Sequence, residues 1–117
     1  MTPDEVKASY RQNMDEAGET IILRRYTGTG TTRVAADTNV RARVTGYHAE
    51  ELVGGIQQGD RKIIMLVEDL EDAGFSLPVL ATDKVILNGH MQSILSIDDF
   101  TRKSHGVLIA YEIQSRG

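Results

Sequence analysis

The chain has 117 residues, 13 of them Lys or Arg and 17 Asp or Glu, for a net charge of −4, with 40% hydrophobic and 26% charged residues. That length and balance fit one globular domain with a real core, and the lack of Cys and Trp removes disulfide frameworks, thiolate metal sites and cysteine nucleophiles. The negative balance argues against affinity gained by neutralising nucleic-acid phosphates, though not against a surface that DNA slides past.

The opening Met-Thr-Pro-Asp-Glu-Val-Lys lacks a signal peptide's apolar core, so a protein that stays in the cytoplasm where it is made is expected. No run reaches the ~20 apolar residues of a membrane helix. Thr2-Pro3-Asp4-Glu5 reads as a helix start, with Thr2 as cap, Pro3 at the first position and acids at the positive end. Val6, Tyr10, Met14 and Ala17 then repeat at helical spacing, and Gly18 suits the C-cap. Residues 1–18 are therefore expected to form an N-terminal helix. It packs either on the domain or on another subunit.

Residues 19–117 are expected to hold the β domain. Glu19 to Tyr26 reads as a strand, and residues 27–39, rich in Gly and Thr, read as a long mobile surface loop of the functional kind. Val40 to Tyr47 alternates: Val40, Ala42 and Val44 share one face, and Arg41, Arg43 and Tyr47 the other. The arginine face is either plain solvated surface or a partner for carboxylates. Ala49 to Val53 is compatible with a helical turn before Gly54-Gly55.

Arg61 to Val67 is apolar on both faces, which places it centrally in a core or under a neighbouring molecule. Residues 68–82 read as an irregular loop pinned by Phe75, Leu77, Val79 and Leu80 around Pro78. Asn88-Gly89 between two strand-like runs is a strong two-residue hairpin signal, because its turn needs positive φ at both positions. It sets Leu87 opposite His90 and Ile86 opposite Met91. Met91, Ser93, Leu95 and Ile97 then share one face, with Ile94 on the other. After a polar loop at 98–105, a last strand covers Gly106 to Gln114. The sum is a mainly β fold, a small antiparallel barrel of five to seven strands with a short helix and loops at 27–39 and 68–82.

Candidate chemistry is sparse. Gly28-x-Gly30 lacks the rest of a phosphate-cradling loop. His48, His90 and His105 show no ligand spacing, and His48 with Glu50 or Glu51 is the one metal arrangement weighed. The acid runs 68–72 and 98–99 lack the alternation of a calcium loop and flank no nucleophile. No catalytic residue, cofactor or metal is expected.

The segment Gly46-Tyr47-His48-Ala49-Glu50-Glu51-Leu52-Val53-Gly54-Gly55-Ile56-Gln57-Gln58-Gly59-Asp60-Arg61-Lys62 resembles the signature of the small head–tail joining proteins of tailed bacteriophages, the stopper class. Related genes occur in prophages and gene-transfer agents. Thr82-Asp83-Lys84-Val85, the turn glycine Gly89 and the closing Ala110-Tyr111-Glu112-Ile113-Gln114-Ser115-Arg116-Gly117 continue the resemblance in order, over roughly residues 19–117. It implies a non-enzymatic β-barrel protein of the virion neck, assembled in the host cytoplasm as a ring, typically a hexamer. The ring would lie between portal or adaptor and the tail, with genomic DNA crossing its lumen without sequence-specific binding. It would close the DNA exit after packaging and dock the tail. On that reading Gly28, Gly30, Arg33 and Asp37 belong to a lumen loop hinged at its glycines. Arg41, Arg43, Asp60, Arg61 and Arg116 are candidate contacts between subunits or rings. The competing readings are a tail terminator or adaptor at the same junction, and a small ligand-binding barrel with the Gly/Thr loop as lid.

Overall fold

The computed structural model describes residues 2–47, 56–57 and 59–117. The expected helical turn at 49–53 and the His48 cluster lie outside the described residues. Helix α1 (Pro3–Ala17) starts as the sequence dictates. Thr2 Oγ1 accepts from the Glu5 N–H at 3.2 Å, and Glu5 Oε1 accepts from the Thr2 N–H at 3.2 Å. This reciprocal box satisfies two donors that a helix start leaves unpaired. Gly18 does end the helix, but with extended backbone rather than the left-handed turn typical of glycine caps. Its glycine is needed for space: a Cβ there would lie 2.4 Å from the Met14 carbonyl oxygen.

Six strands close into a barrel: β1 (Glu19–Thr27), β2 (Val34–Gly46), β3 (Arg61–Leu66), β4 (Lys84–Leu87), β5 (His90–Asp98) and, closing the chain, β8 (Ala110–Arg116). The order around it is β1-β2-β3-β8-β5-β4, with every neighbouring pair antiparallel. Two further strands, β6 (Lys103–Ser104) and β7 (Val107–Leu108), form a small separate hairpin. The mainly β barrel with one N-terminal helix is thus the architecture the alternation patterns pointed to. The Asn88-Gly89 turn is also as read, with φ of 50° and 82° and with Leu87 opposite His90.

Inward side chains fill the barrel at successive levels: Ile21, Leu23, Val40, Ala42, Ile63, Met65, Val85, Leu87, Ile94, Tyr111 and Ile113 form one buried cluster. The outer side of β3 is not left for another molecule. Met14 of α1 is buried against Leu66, Ile109 and Ala110, with Val6, Tyr10 and Ile64 packed around them. Of the two fates open to that two-sided strand, and to the helical stripe, the chain itself supplies both halves. A second helix, α2 (Val67–Asp72), follows β3 directly.

Several local expectations change. The 27–39 segment is not a long loop: β1 runs to Thr27 and β2 starts at Val34, leaving a tight turn at 28–33 with a 3-10 turn at Gly30–Thr32. Each of residues 34–39 has a cross-strand partner on β1, so backbone pairing outweighed low hydrophobicity. Residues 68–82 begin inside α2, and Val67 opens that helix instead of ending the strand. Phe75 and Val79 are buried as pins, but Leu80 is 44% exposed. The expected polar loop at 98–105 contains β6, and the last strand is split into β7 and β8 at Ile109. A register shift between Ile94 and Ser96 inserts one residue, so Ile97 turns inward to the core while Met91 and Leu95 stay exposed. Ile63 is fully buried in the core cluster inside the barrel. Ile63→Ala is expected to cost about 2–5 kcal/mol, read as a lower urea midpoint at constant slope.

Candidate functional site

Two features stand out from this scaffold: a pair of buried aspartates that clasp distant segments, and a β ribbon that overruns the barrel.

Asp60 and Asp83 each stand one residue before a strand, at the start of β3 and β4. Both fold the preceding chain onto themselves in the same way. The Asp60 N–H donates to the Gln57 carbonyl at 3.1 Å and its Oδ2 accepts from the Gln57 N–H at 3.0 Å. The Asp83 N–H donates to the Leu80 carbonyl at 3.0 Å and its Oδ2 accepts from the Leu80 N–H at 2.8 Å. Each then takes a two-pronged arginine from far along the chain. Arg116 donates Nε to Asp60 Oδ1 at 2.7 Å and Nη2 to Oδ2 at 2.9 Å, and Gln114 Nε2 adds a third donor at 2.8 Å. Arg25 donates Nε and Nη2 to Asp83 at 2.9 and 2.8 Å. Its remaining hydrogens reach the Ser76 and Pro78 carbonyls at 2.6 and 2.9 Å, and its plane lies 4.4 Å from the Phe75 ring. The carboxylates are 2% and 1% exposed, and such burial is tolerable only with this full set of donors.

Hydrogen bonds from Arg116 and then the Gln57 N–H hold the Asp60 carboxyl far below the usual carboxylate range, against the opposing effect of its burial. Asp98 shifts the same way on the Thr101 and Phe100 N–H groups. Asp60 and Arg116, proposed from sequence as interface residues, are therefore engaged with each other inside the fold.

The ribbon follows from the register. β1 and β2 pair without interruption from Glu19 opposite Ala42 to Thr27 opposite Val34. β4 accompanies β1 only over Ile22–Arg24, and β3 accompanies β2 only over Ala42–Gly46. Residues 25–36 thus run on as a two-stranded ribbon, with Val34 61% exposed. At its base Asp37 accepts from Arg24 Nε and Nη2 at 2.6 and 2.9 Å, which lowers the Asp37 pKa. The Tyr26 ring lies 4.1 Å from the Arg33 guanidinium. Gly28 and Gly30 have φ of 82° and 56°, and a Cβ on Gly28 would sit 2.7 Å from the Thr32 carbonyl oxygen. These glycines close a defined turn; they are not the hinges of a loose loop. Gly28, Gly30, Arg33 and Asp37 are brought together on this one projection.

The other sequence candidates scatter. Arg41 Nη2 donates to the Met14 carbonyl at 2.9 Å, satisfying an end of α1. Arg61 Nη1 bonds the nearby Gly59 carbonyl at 2.8 Å. Arg43 opens into a shallow cleft of about 560 Å³ with Thr45, Tyr47, Lys62, Ile64 and Arg102. In that cleft Arg102 is held by Glu112 at 2.6 Å and the Tyr10 hydroxyl at 2.8 Å. Among the described residues no group of three His, Cys, Asp or Glu side chains could hold a metal ion, and no helix is long and apolar enough to cross a membrane. Neither protein-family models nor curated proteins yield a match to this chain.

Sequence reasoning missed Asp83 and Arg25 as a clasp and Asp60 as a buried group. The available signal was the recurrence of an aspartate immediately before a cation that opens a strand, in Asp60-Arg61 and Asp83-Lys84. Two outcomes are expected. Asp83→Ala leaves Arg25 buried against Phe75 without its counter-charge and costs about 3–5 kcal/mol in chemical denaturation. Asp60, with its folded pKa depressed, contributes stability that is fully present above its unfolded value of about 3.9. That contribution is lost as pH falls through the folded value, so Asp60→Asn should flatten the decline of melting temperature below about pH 4.

Proposed function

We propose that this chain is a head–tail joining protein of the stopper kind, a ring subunit between portal or adaptor and tail. The observation that carries the reading is the meeting of the segments that resemble that class. Gly59-Asp60-Arg61-Lys62 and Gln114-Ser115-Arg116 are far apart in sequence. Here they lie side by side on β3 and β8, with Arg61 opposite Ser115, and are tied by the Asp60 clasp. The resemblance is thus to residues that cooperate in one piece of structure. A mainly β barrel is also the architecture that class implies, whereas an adaptor is expected to be mostly helical.

In this reading the ribbon at 25–36 is the element that enters the lumen. Its tip is Gly- and Thr-rich, and of its two arginines, Arg25 is turned back to Asp83 and Arg33 lies on Tyr26. A weakly charged tip suits a channel that DNA must traverse without sticking. The ring narrows or closes by bringing such projections together, with the short turns at their ends facing the axis. The barrel outside them supplies the wall and the docking faces.

Two measurements test this. Particles from a genome with a nonsense mutation in this gene, viewed by electron microscopy, should show heads beside separate, complete tails; normally joined particles would overturn the reading. Replacing residues 28–33 by Asn-Gly keeps Thr27 opposite Val34 and suits a two-residue turn. The shortened protein is expected to fold with an unchanged circular dichroism spectrum and to let packaged DNA leak from tailless heads. Full DNA retention would remove the ribbon from the closing role.

A further inference from the structure

Eight of the nine arginines in the chain are engaged within the fold. Five of them meet carboxylates, Arg41 and Arg61 donate to backbone carbonyls, and Arg33 lies on Tyr26. Arg43 is the exception: it has no hydrogen bond, ion pair or ring contact among the described residues. Yet it is half-buried, and a guanidinium drawn partly out of water without a partner is unfavourable. The register explains why the fold offers it nothing. On the outer face of the barrel Arg43 stands opposite Ile64, and Ile64 stands opposite Glu112. The nearest acid in that row is thus two strand spacings away, about 10 Å. It is already taken by Arg102, through Nε and Nη2 at 3.2 and 2.6 Å.

We propose that the cleft beside Arg43 binds a small oxyanion with two negative charges, a phosphate or a dicarboxylate. Arg43, Lys62 and Arg102 all line it, and Glu112 holds Arg102. Among the described residues three cations thus face one carboxylate, a local positive excess on a chain whose net charge is −4. The cleft's volume of about 560 Å³ falls within the range of about 300–1,000 Å³ that small ligands occupy. Arg43 is the anchor, because its free planar fork can present two parallel N–H groups to one edge of a phosphate or carboxylate. Lys62 lies one row along β3, opposite Thr45, and adds a second charge. Arg102 has N–H groups beyond those it gives to Glu112 and the Tyr10 hydroxyl. Ile64, packed against the α1 cluster, supplies an apolar lining that strengthens a charge-assisted bond beside it. The site is separate from the ribbon and independent of the neck reading, and it is tested on the purified protein alone.

Inorganic phosphate and succinate, each titrated into isotope-labelled protein at constant ionic strength, separate the two sources by nuclear magnetic resonance. Saturable shifts centred on Arg43, Thr45 and Ile64 are expected for at least one of them, with a dissociation constant of about 0.1–1 mM. The tighter of the two names the ligand class. Arg43→Gln removes a donor that the fold does not use, so its urea midpoint should be unchanged or higher. It should weaken binding at least about tenfold, the loss of one paired, charge-assisted contact. Lys84→Gln makes the same change of charge on β4, where Lys84 bonds Ser93, and should leave binding intact. Three results would each overturn the proposal: no saturable shift from either anion, shifts spread evenly over the basic side chains, or equal weakening by the two variants. A lowered urea midpoint for Arg43→Gln would also overturn it, by showing that the guanidinium is already engaged within the fold.

Discussion

Closing six antiparallel strands into a barrel requires that each be staggered against the next, and this constraint shapes the whole molecule. Glu19, at the start of β1, lies level with Ala42, Met65 and Tyr111 on one side. On the other side it is Arg24, five residues on, that meets Lys84, Ser93 and Arg116. With β4 only four residues long, the upper half of β1 has no neighbour there. Its continuation with β2 is carried out beyond the wall as a ribbon. The same stagger places α1, which leads directly into β1, across the outer faces of β3 and β8. There it covers the apolar residues that those strands turn away from the barrel core.

Two carboxylates hold this arrangement at the points where the chain enters a strand. A buried aspartate is costly unless every lone pair is used, and each here is used for backbone closure and for an arginine at once. The result is that a local turn and a long-range contact form together. Asp60 joins the loop before β3 to the last residues of β8, and Asp83 joins the turn before β4 to the ribbon and to the 74–78 segment that lines one end of the barrel. Neither clasp resembles a catalytic centre: each charge is matched and directed inward. They position the ribbon and the last residues of β8.

How far this was legible varied with the range of the interaction. Thr2 with Glu5, Asn88 with Gly89, and the alternation of Val40, Ala42 and Val44 are encoded within a few residues, and helix start, hairpin register and inward face all emerged from them. The stripe Val6, Tyr10, Met14 showed that α1 had an apolar side but not which surface it would meet. The Gly/Thr segment at 27–39 was read as a loop because it is weakly hydrophobic. Its strand conformation comes from six cross-strand pairs between residues 34–39 and β1, a property of two segments at once. Ile97 was placed on the face of Met91 and Leu95, opposite Ile94, because a period of two admits no inserted residue, and the shift after Ile94 depends on pairing with β8.

The sequence by itself therefore determined the composition class, the helix cap, the tight turn and the one-sided strands, because each is a matter of local dihedral preference or of hydrophobic period. Tertiary structure alone decided the burial of Asp60 and Asp83, the covering of β3 by α1, and the overhang of β1 and β2. Those features depend on groups more than fifty residues apart meeting at hydrogen-bonding distance, as in Arg25 with Asp83 and Asp60 with Arg116, and on how far each strand slides against its neighbour when the barrel closes.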